Sequence, residues 1–463
     1  MKRSGPIATP QWSEVLDEFR RLSLGYFSGG EERPAAAQCS LQPTTVGPGR
    51  GLAATLKHFE NDWLSKFNGS AGSRYFGFVT GGSTPAALLG DWITSMLDQN
   101  AMGSQDSIAP RLESAAIELF RDLVGLPDSF TGSFVSGATM ANFVGLTLGR
   151  QWIGEQRGID VARQGLAAVG TITVLSATPH SSIYKSLSMA GMGKDNLRLV
   201  PTLPQREAID IVELEKILAM QSQACIVVAN AGTVNTVDFD DLSALIELKK
   251  RHHFWLHVDA AFGGFAACTE RYKHLVRGMD EADSITIDAH KWLNVPYDSA
   301  VQLSRHLALQ TRVFQNTASY LPQELSTTNF VHLTPENSRR LRALPAWFTL
   351  HAYGREAYGE LVEHHCELAT ELSAWIDESA LFLRLAETRL NGVCFTLNMP
   401  HGTATDVEIY AYLESLANDG RMFMTPTNYK GQPAIRISLC NWQTTHDDIA
   451  IAWQAMQELH PCS

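Results

Sequence analysis

Two short segments that read as β-strands end in reactive side chains, one in a lysine and the other in a carboxylate. Residues 284–292 read Ser-Ile-Thr-Ile-Asp-Ala-His-Lys-Trp, a β-branched strand followed by a lysine, and residues 255–259 read Trp-Leu-His-Val-Asp, a strand ending in a carboxylate. Lys291 follows Asp259 by 32 residues. An amine forms a Schiff base only when it is neutral, and a pyridine nitrogen keeps its proton beside an anion. The pair therefore suggests an aldehyde cofactor with a pyridine ring.

The composition permits such an enzyme and disfavours other classes. The chain has 463 residues, 44% of them hydrophobic, which is enough for a large core and two or three structural units. Its 37 Lys and Arg against 49 Asp and Glu give a formal charge of -12. This charge argues against nucleic acid or an anionic membrane surface as a partner, so we expect a small-molecule substrate.

The cysteines and histidines predict neither disulfides nor a metal. Seven cysteines form no CxxC pair and lie far apart, so we expect them to be reduced and mostly buried. The histidine pairs 252–253 and 364–365 lack a third ligand at useful spacing, which indicates partly solvated side chains and no metal site. No apolar run has the length of a signal peptide or a membrane span, so we expect a cytoplasmic protein that does not bind membranes.

The elements that position Lys291 and Asp259 follow from hydrophobic periodicity. Residues 11–25 have helical spacing and precede a stretch rich in Gly, Pro and Ala, which together predict an N-terminal arm. Strand-like runs then alternate with helical or turn segments, which favours a mostly parallel sheet with helices on both faces. Ligands of such sheets bind at the carboxyl ends of the strands. The predicted strands are 171–175, 225–229, 254–258 and 285–287.

The C-terminal part has a different pattern. A helical stretch over residues 339–376 is followed by a strand at 393–397, a helix at 407–416 and a strand at 435–439, an order typical of a small α+β domain. The predicted organisation is an N-terminal helical arm (1–75), a large α/β cofactor-binding domain (76–350) and a small C-terminal α+β domain (351–463).

Small residues at 136–142 favour an anion site. Residues 132–142 pass from a short strand through Ser-Gly-Ala-Thr into an amphipathic helix, whose free N–H groups and dipole favour a phosphate. Thr139 would add a hydroxyl donor. The alternative interpretation of the same residues is an ordinary helix N-cap with close packing. The segment matches neither the P-loop nor the dinucleotide pattern, so a nucleotide is not implied.

Two further residues have both a chemical and a structural interpretation, and one acidic run has only a structural one. His180 follows a strand directly and would stack on a planar ring or serve as a hydrogen-bonded core histidine. Asp259, followed by Ala-Ala-Phe-Gly-Gly, leaves room for something flat or caps a helix. The acidic residues Asp238, Asp240 and Asp241 precede an apolar run, and we interpret them as helix capping and N-terminal helix charge.

Together these segments resemble the group II pyridoxal-phosphate-dependent amino acid decarboxylases, a family that includes aromatic-L-amino-acid and glutamate decarboxylases. The resemblance runs from about residue 70 to the C-terminus and implies the aspartate aminotransferase fold (fold type I). Its anchors, in the family's order, are Tyr75-Phe76-Gly77-Phe78, the small-residue turn at 136–142, Pro179-His180-Ser181-Ser182, Ala231-Gly232-Thr233, His257-Val258-Asp259-Ala260-Ala261, Asp288-Ala289-His290-Lys291-Trp292 and Pro335-Glu336-Asn337-Ser338-Arg339-Arg340.

The resemblance implies a role for each matching residue. Lys291 would hold pyridoxal 5′-phosphate through a Schiff base, Asp259 would pair with the pyridinium nitrogen and His180 would stack on the ring. The resemblance also implies phosphate contacts from Ala138, Thr139 and His290, a place near the cofactor for Thr233, and substrate-pocket positions for Phe78 and Thr80.

One segment departs from the family pattern. Relatives deliver a proton to the carbanion from a loop tyrosine, whereas residues 321–332 contain none. Phe330 or Asn329 falls near its place, and His332 is the only residue of the stretch whose side-chain type can exchange a proton near neutral pH. Relatives with phenylalanine there tend toward oxidative deamination, so we expect Phe330 and His332 in the substrate pocket to decide the product.

The reaction expected from the resemblance is decarboxylation of an L-amino acid to an amine and carbon dioxide by a homodimer. The alternatives are an aldehyde synthase that releases carbon dioxide, ammonia and peroxide, or another carbon–carbon or carbon–sulfur cleavage on the same scaffold. A noncatalytic regulatory relative is a fourth reading, against which the Schiff-base lysine speaks.

Overall fold

The computed structural model describes residues 12–28, 34, 48–103, 105, 107–316 and 326–462. Helices and strands alternate over most of this length, as in an α/β protein. The helices are α1 (Trp12–Ser28), α2 (Leu52–Asp62), α3 (Pro85–Leu97), α4 (Ala109–Leu123), α5 (Ala138–Gln156), α6 (Val161–Gln164), α7 (Ser181–Met189), α8 (Ile211–Ala219), α9 (Leu242–Lys249), α10 (Ala289–Trp292), α11 (Leu307–Phe314), α12 (Ala343–Glu378), α13 (Asp406–Asp419) and α14 (His446–Glu458). The strands are β1 (Thr131–Val135), β2 (Val174–Ser176), β3 (Leu197–Leu199), β4 (Cys225–Asn230), β5 (Phe254–Asp259), β6 (Ser284–Ile287), β7 (Ala300–Ser304), β8 (Phe382–Arg384), β9 (Gly392–Met399), β10 (Gly402–Thr403), β11 (Thr425–Tyr429) and β12 (Gln432–Ser438).

The large sheet has seven strands in the order β1-β7-β6-β5-β4-β2-β3. Only β7 runs antiparallel to its neighbours β1 and β6, so the predicted mostly parallel sheet is confirmed. All six residues of both β4 and β5 are buried, because helices cover both faces. The strand predicted at 171–175 is wrong at its start, since pairing begins at Val174.

Helix α5 is buried on most sides, so the predicted amphipathic helix is wrong in this respect. It packs on β5, β6 and β7, while α7 and α11 cover its other side. Two glycines permit this close approach. A Cβ on Gly145 would lie 2.5 Å from the His257 ring, and one on Gly149 would lie 2.9 Å from Trp255. Any larger side chain at Gly145 would push the helix away from the sheet.

The C-terminal sheet is antiparallel, with the order β10-β9-β12-β11 and β8 paired to β9. Its core includes Phe76, whose backbone bonds to Phe423 and Ser438 and so ties an early segment to this sheet. The long helix α12 (36 residues) contains a kink at Gly354, where φ is 69°. The predicted boundary at 350/351 lies within α12 and stays a prediction.

Helix α1 packs on the rest of the chain through few contacts. Arg21 forms a bidentate ion pair with Glu60, and Phe19 meets the edge of Trp92 at 5.4 Å. Leu16 and Leu24 are 61% and 59% exposed. None of the described helices is both long and apolar enough to cross a lipid bilayer. The described cysteines are free, and all but Cys462 are buried, as predicted; Cys39 lies outside the described residues.

Candidate active site

The carboxyl ends of β5 and β6 bring the predicted lysine and carboxylate into one cavity. Asp259 is the last residue of β5 and pairs in register with Thr286 of β6. Lys291 lies in the one-turn helix α10 that follows β6. Five predicted residues line this cavity and are called the cofactor wall below: Ala138, His180, Thr233, Asp259 and Lys291.

Lys291 lies in a largely enclosed position. Its side chain is 16% exposed, and its Nζ lies 3.8 Å from Asp288 Oδ2 and 5.5 Å from the centroid of the Phe262 ring. Burial raises the pKa of Asp288 to about 7, against the opposing effect of Lys291. The lysine therefore has one nearby carboxyl group that holds or releases a proton near neutral pH.

Asp259 and His180 are fixed by hydrogen bonds on the sides that face the protein. Asp259 is 6% exposed and accepts from Asn142 Nδ2 at 2.9 Å and from the Ala261 N–H at 3.2 Å. His180 caps α7, since its Nδ1 accepts from the Ser182 N–H at 3.2 Å. Burial lowers the pKa of His180, although the charge of Asp259 acts in the opposite direction. A neutral imidazole and a fixed carboxylate thus line the same cavity.

The predicted phosphate residues surround the start of α5. Gly137 precedes the helix without a side-chain cap, and the Ala138 N–H lies 3.4 Å from Asp288 Oδ2. A Cβ on Gly137 would lie 3.6 Å from the His290 ring, and burial lowers the pKa of His290 to about 4. Thr139 is in the first turn of α5 but does not line the cavity. The Met140 and Ala141 N–H groups donate to the Gly137 carbonyl, which leaves those of Ala138 and Thr139 at the start of this 19-residue helix as donors for an anion.

The acidic residues after Thr233 correct one interpretation. Asp241 does cap α9, accepting from the Ala244 N–H. Capping is wrong for the other two, which are buried. Asp238 pairs with Arg206 at 2.6 Å, and Asp240 accepts from the Ile209 and Asn230 N–H groups. They satisfy backbone and guanidinium donors of the loop that holds Thr233.

The histidine pair at 364–365 also differs from expectation. His365 is fully buried rather than partly solvated. Its Nδ1 accepts from Trp292 Nε1 at 2.8 Å, and its Nε2 bonds to the Asn441 carbonyl at 2.9 Å. The helical pattern alone did not show that this face of α12 packs against the residue next to Lys291.

Two aromatic residues and a threonine lie close to the backbone of Lys291, and the sequence predicted only two of the three. A Cβ on Gly81 would lie 1.7 Å from the Lys291 carbonyl oxygen, so the segment containing Phe78 and Thr80 passes directly over this residue. Thr80 is buried and its hydroxyl lies 3.4 Å from that of Tyr297, which sequence reasoning missed. Phe78 and Tyr297 are 58% and 61% exposed. Phe78, Thr80 and Tyr297 are called the aromatic rim below.

A second missed residue is Arg436 on β12 of the C-terminal sheet. Its Nη1 donates to the Val234 carbonyl at 2.8 Å, and Val234 lines the cavity. Burial lowers the pKa of Arg436, and its charge helps to lower that of His180. The sequence did contain a signal for Arg436, since it is a charged residue between two isoleucines in the predicted strand 435–439.

Phe330 and His332 are not brought to this cavity. Phe330 is fully buried, and the Arg339 guanidinium lies 4.8 Å from the centroid of its ring. His332 is 4% exposed, and its Nδ1 accepts from the Asn316 N–H at 3.2 Å. Residues 321–325 of this loop lie outside the described residues. The predicted role of Phe330 and His332 in the substrate pocket stays a prediction.

A lysine, a carboxylate and a histidine at the carboxyl ends of a mostly parallel sheet, with a second α+β unit, define a pyridoxal-phosphate enzyme of fold type I. The residues fit that cofactor: an amine for its aldehyde, a fixed carboxylate for its ring nitrogen and the first turn of α5 for its phosphate. The class follows from this set of donors and acceptors.

Comparison with known proteins gives the family. The pyridoxal-dependent decarboxylase conserved domain matches residues 67–398. An aromatic-L-amino-acid decarboxylase from Bacillus atrophaeus is 27% identical over 352 residues, covering 74% of this chain and 71% of that protein. An L-2,4-diaminobutyrate decarboxylase from Acinetobacter baumannii is 27% identical over 397 residues, covering 81% and 76%. The chain belongs to the pyridoxal-dependent decarboxylase family; it is an amino acid carboxy-lyase that uses pyridoxal 5′-phosphate.

A solved structure supports the fold independently. The crystal structure of Oryza sativa TDC with PLP and tryptamine has a TM-score of 0.88 at 21% sequence identity. The match covers 98% of this chain and 99% of that one, so fold type I extends over nearly the whole molecule.

Proposed function

We propose that this enzyme removes the α-carboxyl group of an aromatic L-amino acid and releases the amine and carbon dioxide. The observation that carries the proposal is the cofactor wall, where one cavity collects Lys291, Asp259 and His180 from three separate segments. The aromatic rim beside Lys291 supports the substrate class.

The proposed roles follow from the environment of each residue. Lys291 would hold the cofactor covalently, and Asp259, which accepts from two N–H donors, would pair with the ring nitrogen. His180 would contact the ring, and burial, which lowers its pKa, favours the neutral imidazole. When bound, the cofactor accepts the electron pair that the departing carbon dioxide leaves behind. The protein's own contribution is to orient the amino acid and to keep charges fixed.

At the phosphate end we propose Ala138, Thr139 and His290 as contacts, with Thr233 near the cofactor ring. The start of α5 supplies the donors, and Asp288 is the nearest carboxyl group. The raised pKa of Asp288, about 7, reduces the repulsion that a fully ionised carboxylate would exert on a phosphate.

The substrate class is argued from the aromatic rim. Exposed rings at Phe78 and Tyr297 offer a flat apolar surface for an aromatic side chain, and Thr80 adds a hydroxyl. The half-buried cation of Arg436 would provide a positive potential on the cavity side for the α-carboxylate. The names of the relatives cover aromatic and diamino substrates, and the rim is the observation that favours the aromatic class.

We also propose a homodimer in the cytoplasm. Large apolar side chains are exposed on α1 and on α3, including Leu16, Phe27 and Met96, an area that a second copy would bury. The free buried cysteines support a reducing compartment. Sedimentation of the wild type and of Met96→Glu tests this proposal. We expect the wild type to have the mass of a dimer and the charged variant to have a lower mass.

The test of the substrate class is a panel of L-amino acids scored for carbon dioxide, amine and peroxide. We expect phenylalanine, tyrosine or tryptophan to react fastest, with one amine per carbon dioxide, and glutamate and 2,4-diaminobutyrate to react slowly. Tyr297→Ala should raise KM for the best substrate about tenfold, since one aromatic contact is lost. Tyr410→Ala, at a tyrosine 60% exposed on α13, is the matched control. Fastest turnover of a non-aromatic substrate would contradict the proposal.

A further inference from the structure

A chain of buried polar side chains runs beneath the cofactor wall. Trp255 and His257 of β5, Ser284 of β6, Asn142 of α5 and Ser182 of α7 are each 5% exposed or less. Successive contacts join Trp255 Nε1 to Ser284 Oγ (3.0 Å), Ser284 Oγ to His257 Nδ1 (2.8 Å), His257 Nε2 to Asn142 Oδ1 (2.9 Å), and Asn142 Nδ2 to both Asp259 Oδ2 (2.9 Å) and Ser182 Oγ (3.1 Å). The last contact, from Ser182 Oγ to His180 Nδ1, measures 2.8 Å.

The direction of these hydrogen bonds is fixed by the ends of the chain. The carboxylate of Asp259 only accepts, so the amide of Asn142 must present its NH₂ group there. A flipped amide would place two oxygens in contact. Asn142 Oδ1 therefore faces His257 and accepts a hydrogen bond from the Nε2–H of that ring.

His257 is thereby held as one neutral tautomer. Burial lowers its pKa to about 4, so the ring carries a single proton, and that proton is on Nε2. Its Nδ1 must accept the Ser284 hydroxyl, which in turn accepts from Trp255 Nε1. Each donor in this branch has one acceptor, and the direction runs from Trp255 toward Asp259.

The second branch sets the tautomer of His180. Ser182 Oγ accepts from Asn142, so its own hydrogen is directed to His180 Nδ1. The Ser182 N–H also donates to that nitrogen at 3.2 Å. A neutral His180 with two donors at Nδ1 carries its proton on Nε2.

We propose that Asn142 is a positioning residue that couples the two halves of the cofactor wall. Its amide stabilises Asp259 as the anion and, through Ser182, makes His180 present an Nε2–H donor rather than an acceptor to the cavity. This role rests on the proposed function of Asp259 and His180. An Nε2–H donor suits an acceptor such as the substrate carboxylate, which the opposite tautomer would repel.

A purely structural role would not require this chemistry. Replacing a complete buried polar network by apolar residues is often neutral for stability, whereas breaking one member leaves an unpaired group. The test must therefore separate the tautomer from folding.

The experiment measures the His180 tautomer directly in the cofactor-free protein. Histidine is labelled with ¹⁵N, two-bond proton–nitrogen correlations distinguish Nε2–H from Nδ1–H, and the His180 signals are assigned by their loss in His180→Gln. We expect Nε2–H in the wild type and in Ser182→Thr, which keeps the hydroxyl. Ser182→Ala should lower the fraction of the Nε2–H tautomer without abolishing it, because the backbone N–H of residue 182 still donates to Nδ1. An Nδ1–H tautomer in the wild type, or an unchanged Nε2–H fraction in Ser182→Ala, would overturn the proposal.

The Asp259 branch is tested by cofactor affinity. Asn142→Leu should weaken pyridoxal phosphate binding by roughly tenfold or more, since a hydrogen bond to a charged group is lost. The matched control is Asn316→Leu, at an asparagine away from the cavity that keeps its backbone bond to His332. Wild-type affinity in a folded Asn142→Leu protein would overturn the coupling. Failure of the proposed function itself would instead appear as absent cofactor binding in the wild type, with the His180 tautomer intact.

Discussion

The cofactor wall and the aromatic rim, whose segment passes over the Lys291 backbone, differ in how their side chains are held. Asp259 and His180 on the cofactor wall have hydrogen-bond partners within the chain on their protein-facing sides. On the rim, Phe78 and Tyr297 are more than half exposed, and the contact of Tyr297 with Thr80 is long at 3.4 Å. One chain thus supplies a rigid cofactor wall, whereas the rim has surface left for a substrate or a second subunit.

The difference has a physical reason. Charged and polar groups that act on a reacting centre contribute most when they are oriented beforehand, because no reorganisation is then needed during the reaction. Recognition of an apolar side chain needs area rather than direction. The comparison predicts that changes in the cofactor wall abolish turnover, while changes elsewhere shift affinity, product or pH response.

The largest effect is expected from Lys291→Ala. The variant should lose the covalent, borohydride-reducible link to pyridoxal phosphate and nearly all turnover, since its amine is the nucleophile for the aldehyde. Absorbance spectra and peptide mapping after reduction measure this loss. Lys185→Ala, at an exposed lysine of α7, is the control and should retain the link. A reducible adduct that persists in Lys291→Ala would contradict the assignment.

Asp259→Asn comes next. The substitution keeps the size and removes the charge, so cofactor should still bind while kcat falls by about 10² to 10³. Steady-state and single-turnover rates measure the fall. Asp241→Asn, at the N-cap of α9, keeps a capping residue and should leave the rate unchanged. Near-normal turnover in Asp259→Asn would refute its electrostatic role.

A product test addresses the loop that precedes α12. The wild type should release amine with and without oxygen, and Phe330→Tyr should leave this product unchanged because the Phe330 ring packs beneath Arg339. His332→Phe should reduce amine formation if His332 moves in to supply the proton. Amine, aldehyde and peroxide are measured together. Stoichiometric aldehyde and peroxide from the wild type, shifted to amine by Phe330→Tyr, would establish the aldehyde synthase instead.

The smallest effect is a pH dependence of stability in the cofactor-free protein. Burial raises the pKa of Asp288 from its ordinary 3.8 to about 7, so the folded state holds a proton that the unfolded chain has lost. The contribution of Asp288 to stability should therefore decline as pH rises between these values. Asp288→Asn cannot ionise and should reduce this decline, as measured by urea unfolding from pH 5 to 8. Asp241→Asn, at an exposed cap, should leave the slope as it is, and an equal slope in Asp288→Asn would reject the shift.

The sequence by itself determined the chemistry of the cavity and the class of the fold. Residues at the ends of successive β-branched runs were predictable because the carboxyl ends of neighbouring parallel strands meet at one edge, which brought Lys291 to Asp259. Tertiary structure alone decided what lies behind and beside them. Asn142 reaches Asp259 from 117 residues away, Tyr297 reaches Thr80 from 217, and Phe330 is buried beneath Arg339 rather than beside Lys291. Local periodicity shows which face of an element is apolar, but not which distant polar group meets it, because that depends on how helices pack across the sheet.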